Sequence, residues 1–179
     1  MRKPKDTKCR TIGGRMPFVY ATAERVFNAN FAGDDPAQAC LYWAKAAQVT
    51  LSDMGYRAII QAGSAFWRRS AEWEFGYLFS GEVQPGNFLE WHCWVGLPDE
   101  GPHGLIVDIS TGFQAERCRI TTGFSWSGKY RLGNWICASP KDLPRYTAEP
   151  GAIHHARESL RRSSWGETAD VEEFAVFYL

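Results

Sequence analysis

Apolar positions first recur at helical spacing between Pro17 and Phe31, at Val19, Ala23, Val26, Phe27 and Phe31. The run Gly33-Asp34-Asp35-Pro36 breaks the pattern. A second helix is predicted from Pro36 to Met54, with Asp35 as its cap, Gln38 completing a box-like pattern and Gly55 as its stop. Cys40, Ala44, Ala47, Leu51 and Met54 form its apolar stripe, and Lys45, Gln48 and Ser52 fall on another face. Strand-like runs follow at Tyr56–Gln61, Glu74–Phe79, Phe88–Val95 and Gly104–Ile109, with a fifth candidate at Asn134–Ala138. Pro150–Arg162 reads as a short helix, and the apolar tail Val171–Leu179 as a segment that docks on the body. Helices followed by consecutive strands with short loops predict an α+β fold with a mainly antiparallel sheet. Residues 1–15 read as a loose polar lead-in, and Gly112–Gly133 as a lid or a plain connection with a short helical turn.

The chain of 179 residues, without an internal repeat or a linker, suits a single domain over 1–179. Lys+Arg and Asp+Glu balance at 20 each, so no long-range field favours nucleic acid or an anionic membrane as a partner. No run of about 18 apolar residues predicts a membrane span, and no apolar stretch follows the basic start. Five cysteines without a CxxC pair argue against a disulfide framework and for a reducing cytoplasm. The oligomeric state leaves no mark in the sequence.

Three residues carry candidate chemistry. Cys40 opens the buried stripe of the second helix, His92 sits in the strand-like run Trp91–Val95, and Asp108 closes the strand-like run Leu105–Ile109. A thiol, an imidazole and a carboxylate are the parts of an activated sulfur nucleophile. The turn at Pro98, Gly101 and Pro102 predicts a hairpin. If it pairs symmetrically about Glu100, His92 lies opposite Asp108, with Cβ atoms about 5 Å apart, and Trp94 lies opposite Ile106. A slip of one residue would put His92 and Asp108 on opposite faces. Alternation also separates His92 from Cys93, so only one of that pair is expected to face Cys40. Gln38 or a nearby backbone N–H is a candidate oxyanion donor. A helix beginning regularly at Pro36 would occupy the Cys40 amide, so catalysis needs the helix to begin nearer Gln38–Cys40.

The run Cys40-Leu41-Tyr42-Trp43-Ala44, followed by Leu51, Gly55-Tyr56-Arg57-Ala58 and Gly63, resembles the transglutaminase-like core of the papain-like cysteine proteinase superfamily. His92-Cys93-Trp94-Val95 and Val107-Asp108-Ile109-Ser110-Thr111 resemble that family's His and Asp strands. The resemblance covers residues 40–111 and points to an uncharacterised bacterial family within the superfamily. It implies a papain-like fold with the Cys helix on the sheet, and a triad of Cys40, His92 and Asp108. Cys40 is not followed directly by Trp, as in papain and many transglutaminases. Nor is it preceded by the Arg-Gly-Gly of arylamine acetyltransferases, and Pro36-Ala37-Gln38-Ala39 stands there instead. The implied activity is thiol-dependent hydrolysis of an amide or peptide bond, with peptides or small amides as substrates and no cofactor or metal. Acyl transfer to an amine and a non-catalytic peptide-binding module are the alternatives.

Each residue also has an ordinary explanation. Cys40 is a small hydrophobe by default, His92 a hydrogen-bonded interior histidine, Asp108 a turn cap. A metal site from His92, Cys93, His103 and Cys118 lacks ligand spacing. Trp67, Trp73, Trp91, Trp94 and Trp126 either line a groove or pack the interior.

Overall fold

The computed structural model describes residues 7–30, 39–68, 70–72, 74–79, 91–126, 128–142 and 145–162. Helix α1 spans Thr7–Asn30, further back than the expected start at Pro17. Ile12 and Met16 extend the buried stripe Val19, Ala23 and Phe27 by about two turns, so most of the supposed lead-in is helix. Gly13 and Gly14 lie on its exposed side, with open space where a Cβ would point, and their poor helix propensity costs about 1 kcal/mol each.

Helix α2 spans Cys40–Asp53. It is buried on nearly all sides, packing on α1 and on the sheet. Lys45 and Gln48, expected on a separate polar face, are therefore interior. Lys45 Nζ donates to Gln48 Oε1 at 2.8 Å, and Gln48 Nε2 donates to the Ala58 carbonyl at 3.4 Å, which satisfies the buried amide. The expected cap and box at Asp35–Gln38, the break at 33–36 and the tail at 171–179 lie outside the described residues.

The strands are β1 Ile59–Arg68, β2 Glu74–Tyr77, β3 His92–Leu97, β4 Leu105–Asp108, β5 Ile136–Ala138 and β6 Arg145–Ala148. Every pairing is antiparallel, in the order β2-β1-β3-β4-β5, so the α+β architecture is as expected. The sixth strand, β6, pairs with β1 from Gly63 to Phe66, whereas β3 pairs with it from Ile59 to Gly63. Gly63 pairs with both His92 and Ala148, and Ala65 and Phe66 pair with both β2 and β6, so β6 runs along one edge of β1 while β3 and β2 follow each other along the other. A Cβ at Gly63 would overlap the Thr147 carbonyl oxygen, so the close approach of β6 requires glycine there.

One sheet face carries Ile60, Ala62, Cys93, Val95, Leu97, Leu105 and Val107 against α1, α2 and helix α4, Pro150–Arg162. The other carries Ala65 and Trp67 against Cys118 and Trp126. Cys118 belongs to helix α3, Thr111–Thr122, which occupies the supposed lid. The buried positions of α3, Thr111, Gln114 and Cys118, are mostly polar, which explains why hydrophobic periodicity did not reveal the helix. No helix among the described residues is long and apolar enough to cross a membrane.

Candidate active site

The β3–β4 hairpin pairs Val95 with Val107, Gly96 with Ile106 and Leu97 with Leu105. Its centre is Gly101 rather than Glu100, which corrects the expected register. Gly101 and Gly104 take the positive φ of 80° and 69° that this turn needs. Continued by one pair, the register puts Asp108 across from Trp94 and diagonal to His92. The shift preserves parity, so His92 and Asp108 still share a face.

His92 Nε2 lies 2.8 Å from Asp108 Oδ2, with both side chains buried. An ionised carboxylate only accepts, so Nε2 carries the proton. Asp108 Oδ1 also accepts from the Ser110 amide at 2.9 Å and the Ser110 hydroxyl at 2.8 Å. Tyr146 Oη donates to Asp108 Oδ2 at 2.7 Å and accepts from Trp67 Nε1 at 2.8 Å. Four donors therefore hold the carboxylate as an anion. Burial alone would raise its pKa, but the His92 charge and the hydrogen bonds from His92, Tyr146 and Ser110 keep it below the usual carboxylate value. For His92, burial pulls the pKa down, and the Asp108 charge and hydrogen bond outweigh it. With a smaller contribution from Cys40, the ring is pushed up to about 10.

Aromatic side chains fix the imidazole on its faces and edges. Tyr77 stacks on it with centroids 5.7 Å apart and planes 6° apart, and Trp67 meets it edge-on at 5.0 Å. Tyr77 is itself tied down, donating to Gln114 Oε1 at 2.6 Å and accepting from Arg117 Nη1 at 2.9 Å. The tryptophans therefore form interior walls: Trp67, Trp94 and Trp126 are buried, and the half-buried Trp91 packs on the main core. They do not line an open groove, and Trp73 lies outside the described residues.

Cys40 is the first residue of α2, with 7% of its surface exposed. The first hydrogen bonds of the helix run from the Tyr42 and Trp43 amides to the Ala39 carbonyl, at 3.0 and 3.1 Å. The amides of Cys40 and Leu41 therefore stand outside the helix's own hydrogen bonds, as an oxyanion donor requires. Gln38, the side-chain candidate for that role, lies outside the described residues.

The Cys40 thiol meets both Cys93 and His92, where alternation alone predicts only one of them. His92 is the first residue of β3, opposite Gly63, and on that edge β1 next pairs with β2 from Ala65, so the ladder is interrupted beside His92. The Cys93 thiol, hydrogen-bonded to Cys40, does most to lower the Cys40 pKa. Burial opposes it, and the hydrogen bond and charge of His92 add to the lowering, leaving the thiol well below its usual value. Cys93 moves the other way, raised by burial and by the neighbouring Cys40 sulfur. Nδ1 of His92 is buried without another hydrogen-bond partner, which leaves it as the nitrogen available to Cys40.

The structure thus brings together all three residues named from sequence. Sequence reasoning missed Tyr146, Tyr77 and the role of Cys93. Only Cys93, adjacent to His92, carried a signal. Among the described residues no group of three His, Cys, Asp or Glu is placed to hold a metal ion. No protein-family model, curated protein or solved structure matches the chain, so the reading of the site rests on its own geometry.

Proposed function

We propose that this chain is a thiol-dependent hydrolase of papain-like, transglutaminase-like type, acting on amide or peptide bonds. The observation that carries the reading is the His92 ring: Nε2 is held by Asp108 at 2.8 Å, and Nδ1 is left over beside a thiol whose pKa is depressed. A structural histidine needs no such thiol.

In the proposed reaction the Cys40 thiolate attacks the substrate carbonyl carbon, forming a C–S bond and an oxyanion. The Cys40 and Leu41 amides at the start of α2 are the available donors to that oxyanion. The His92 imidazolium gives its Nδ1 proton to the leaving amine as the C–N bond breaks. Nδ1 then takes a proton from water, which attacks the thioester as the C–S bond breaks, releasing the acid and restoring the Cys40 thiolate beside the His92 imidazolium. Asp108 stays ionised throughout and stabilises the imidazolium. A reducing compartment such as the cytoplasm keeps Cys40 and Cys93 available as thiols.

The test is incubation with an activated acetyl ester followed by mapping of the adduct. An acetyl thioester on Cys40 that decays in water, and is absent from Cys40→Ala, is the expected result. Acetylation elsewhere only, or equal labelling of the variant, contradicts the reading. Decay accelerated by added primary amines, with the amide recovered as product, would assign acyl transfer instead of hydrolysis.

A further inference from the structure

A cavity of about 500 Å³ lies under the β3–β4 turn, at the end of β3 away from His92. Its walls are mainly apolar: Leu97, Pro98, Pro102, Leu105, Ile106 and Pro140. Three polar side chains, Gln61, Lys141 and His103, break that apolar lining. Gln61 is 5% exposed and forms part of the wall. Its Oε1 accepts from Trp94 Nε1 at 2.7 Å, and an indole N–H only donates, so the orientation of the amide is fixed. Nε2 therefore lies on the other side of the amide, with no partner recorded among the described residues. Gly96 makes this arrangement possible, since a Cβ there would come within 2.8 Å of Gln61 Oε1. An amide N–H held in a fixed orientation at the wall of an apolar cavity is placed to meet an acceptor there.

Lys141 also lines the cavity, from an exposed position on the short 3-10 turn Pro140–Asp142. Its flexible stem lets the ammonium swing across the mouth. His103 stands on the same rim. Of the acids on the turn, Asp99 pairs with Arg57 at 3.5 Å, and Glu100 lines a smaller adjoining hollow of about 300 Å³ that it shares with Lys141.

We propose that this cavity binds a small amphiphilic monocarboxylate, its apolar part against Leu97, Ile106 and the prolines, its carboxylate taking the Gln61 amide N–H and the Lys141 ammonium. The site is separate from the Cys40–His92–Asp108 cluster and does not depend on the proposed reaction. Its apolar walls supply affinity, and the two donors select an acid over a neutral molecule of the same shape.

Titration of the full chain with octanoate, followed by two-dimensional NMR, tests the proposal. The Gln61 side-chain amide and the backbone amides of Gly96, Leu97 and Ile106 should shift together and saturate in the micromolar to millimolar range. Octan-1-ol should bind on the order of tenfold more weakly. Lys141→Ala, a substitution at an exposed position, should weaken octanoate on the order of fivefold while leaving the spectrum folded. Absence of saturable shifts, or shifts clustered away from Gln61, would overturn the site. Equal binding of the alcohol, or unchanged octanoate affinity in Lys141→Ala, would overturn the carboxylate assignment.

Discussion

Asp108 shows how much one buried carboxylate organises. It receives His92, Tyr146 and two groups of Ser110, and its charge keeps the imidazole protonated in surroundings that would otherwise neutralise it. Asp108→Asn keeps the shape but removes the charge. The imidazole then loses its counter-ion in a dry site, and a stability loss of about 3–5 kcal/mol is expected by urea unfolding. In the same variant the His92 pKa, followed by NMR of the ring protons, should fall from about 10 towards or below 6.5. A pKa unmoved by the substitution would mean that Asp108 is not what holds it up.

The same shifts fix a dependence of stability on pH. The folded pKa of His92 lies above the unfolded value of 6.5. Its stabilising contribution is therefore complete below about pH 6.5 and drains away as pH rises towards about 10. Asp108 has the opposite sign: its contribution is present above the ordinary carboxylate pKa of about 3.9 and is lost as acid protonates the folded protein. Cys40, with a depressed pKa, gains stability as pH rises and masks part of the histidine effect. In Cys40→Ala that mask is gone. Cys93, raised by burial, reinforces the decline only above about pH 8.5. The melting temperature of Cys40→Ala should therefore fall between pH 6.5 and 8.5, and a flat or rising profile would contradict the assignment.

Among the elements, β6 does more than its four residues suggest. It pairs along the edge of β1 opposite β3 and β2, and so delivers Tyr146 to Asp108 and Trp67. Gly63 is the position that β1 shares between β3 and β6. In Gly63→Ala the new methyl meets the Thr147 carbonyl and, at 2.9 Å, the Glu149 amide, both backbone atoms that cannot rotate away. The pairing of β1 with β6 should open at a cost of roughly 2–3 kcal/mol. Hydrogen exchange should speed up at Tyr146–Ala148 while the β3–β4 pairs stay protected. Uniform protection across the sheet would show that the close approach at Gly63 is not needed.

For the whole molecule, the sequence revealed what has strong period or strong chemistry. The α2 stripe, the parity that keeps His92 and Asp108 on one face, and the helix at Pro150–Arg162 were all legible, because apolar spacing and strand alternation are local properties. The hairpin register was misplaced by one residue at its centre, because turn residues permit several pairings of the same parity. Helix α3 escaped because its buried face is Thr111, Gln114 and Cys118, and β6 because Arg145-Tyr146-Thr147-Ala148 has no apolar alternation. The contact of Cys40 with both His92 and Cys93 depends on where two strands end, which no residue spacing encodes.

The central claim is that folding makes Cys40 a thiolate, held by the Cys93 thiol and by the charge and hydrogen bond of His92. Iodoacetamide labelling at mildly acidic pH, read cysteine by cysteine by mass spectrometry, tests it most directly, because only a stabilised thiolate reacts quickly there. Cys40 should label at least about tenfold faster than Cys93, Cys118 and Cys137, and that advantage should shrink in His92→Gln. Slow, equal labelling of all the cysteines, or a fast Cys40 indifferent to the loss of His92, would contradict the account.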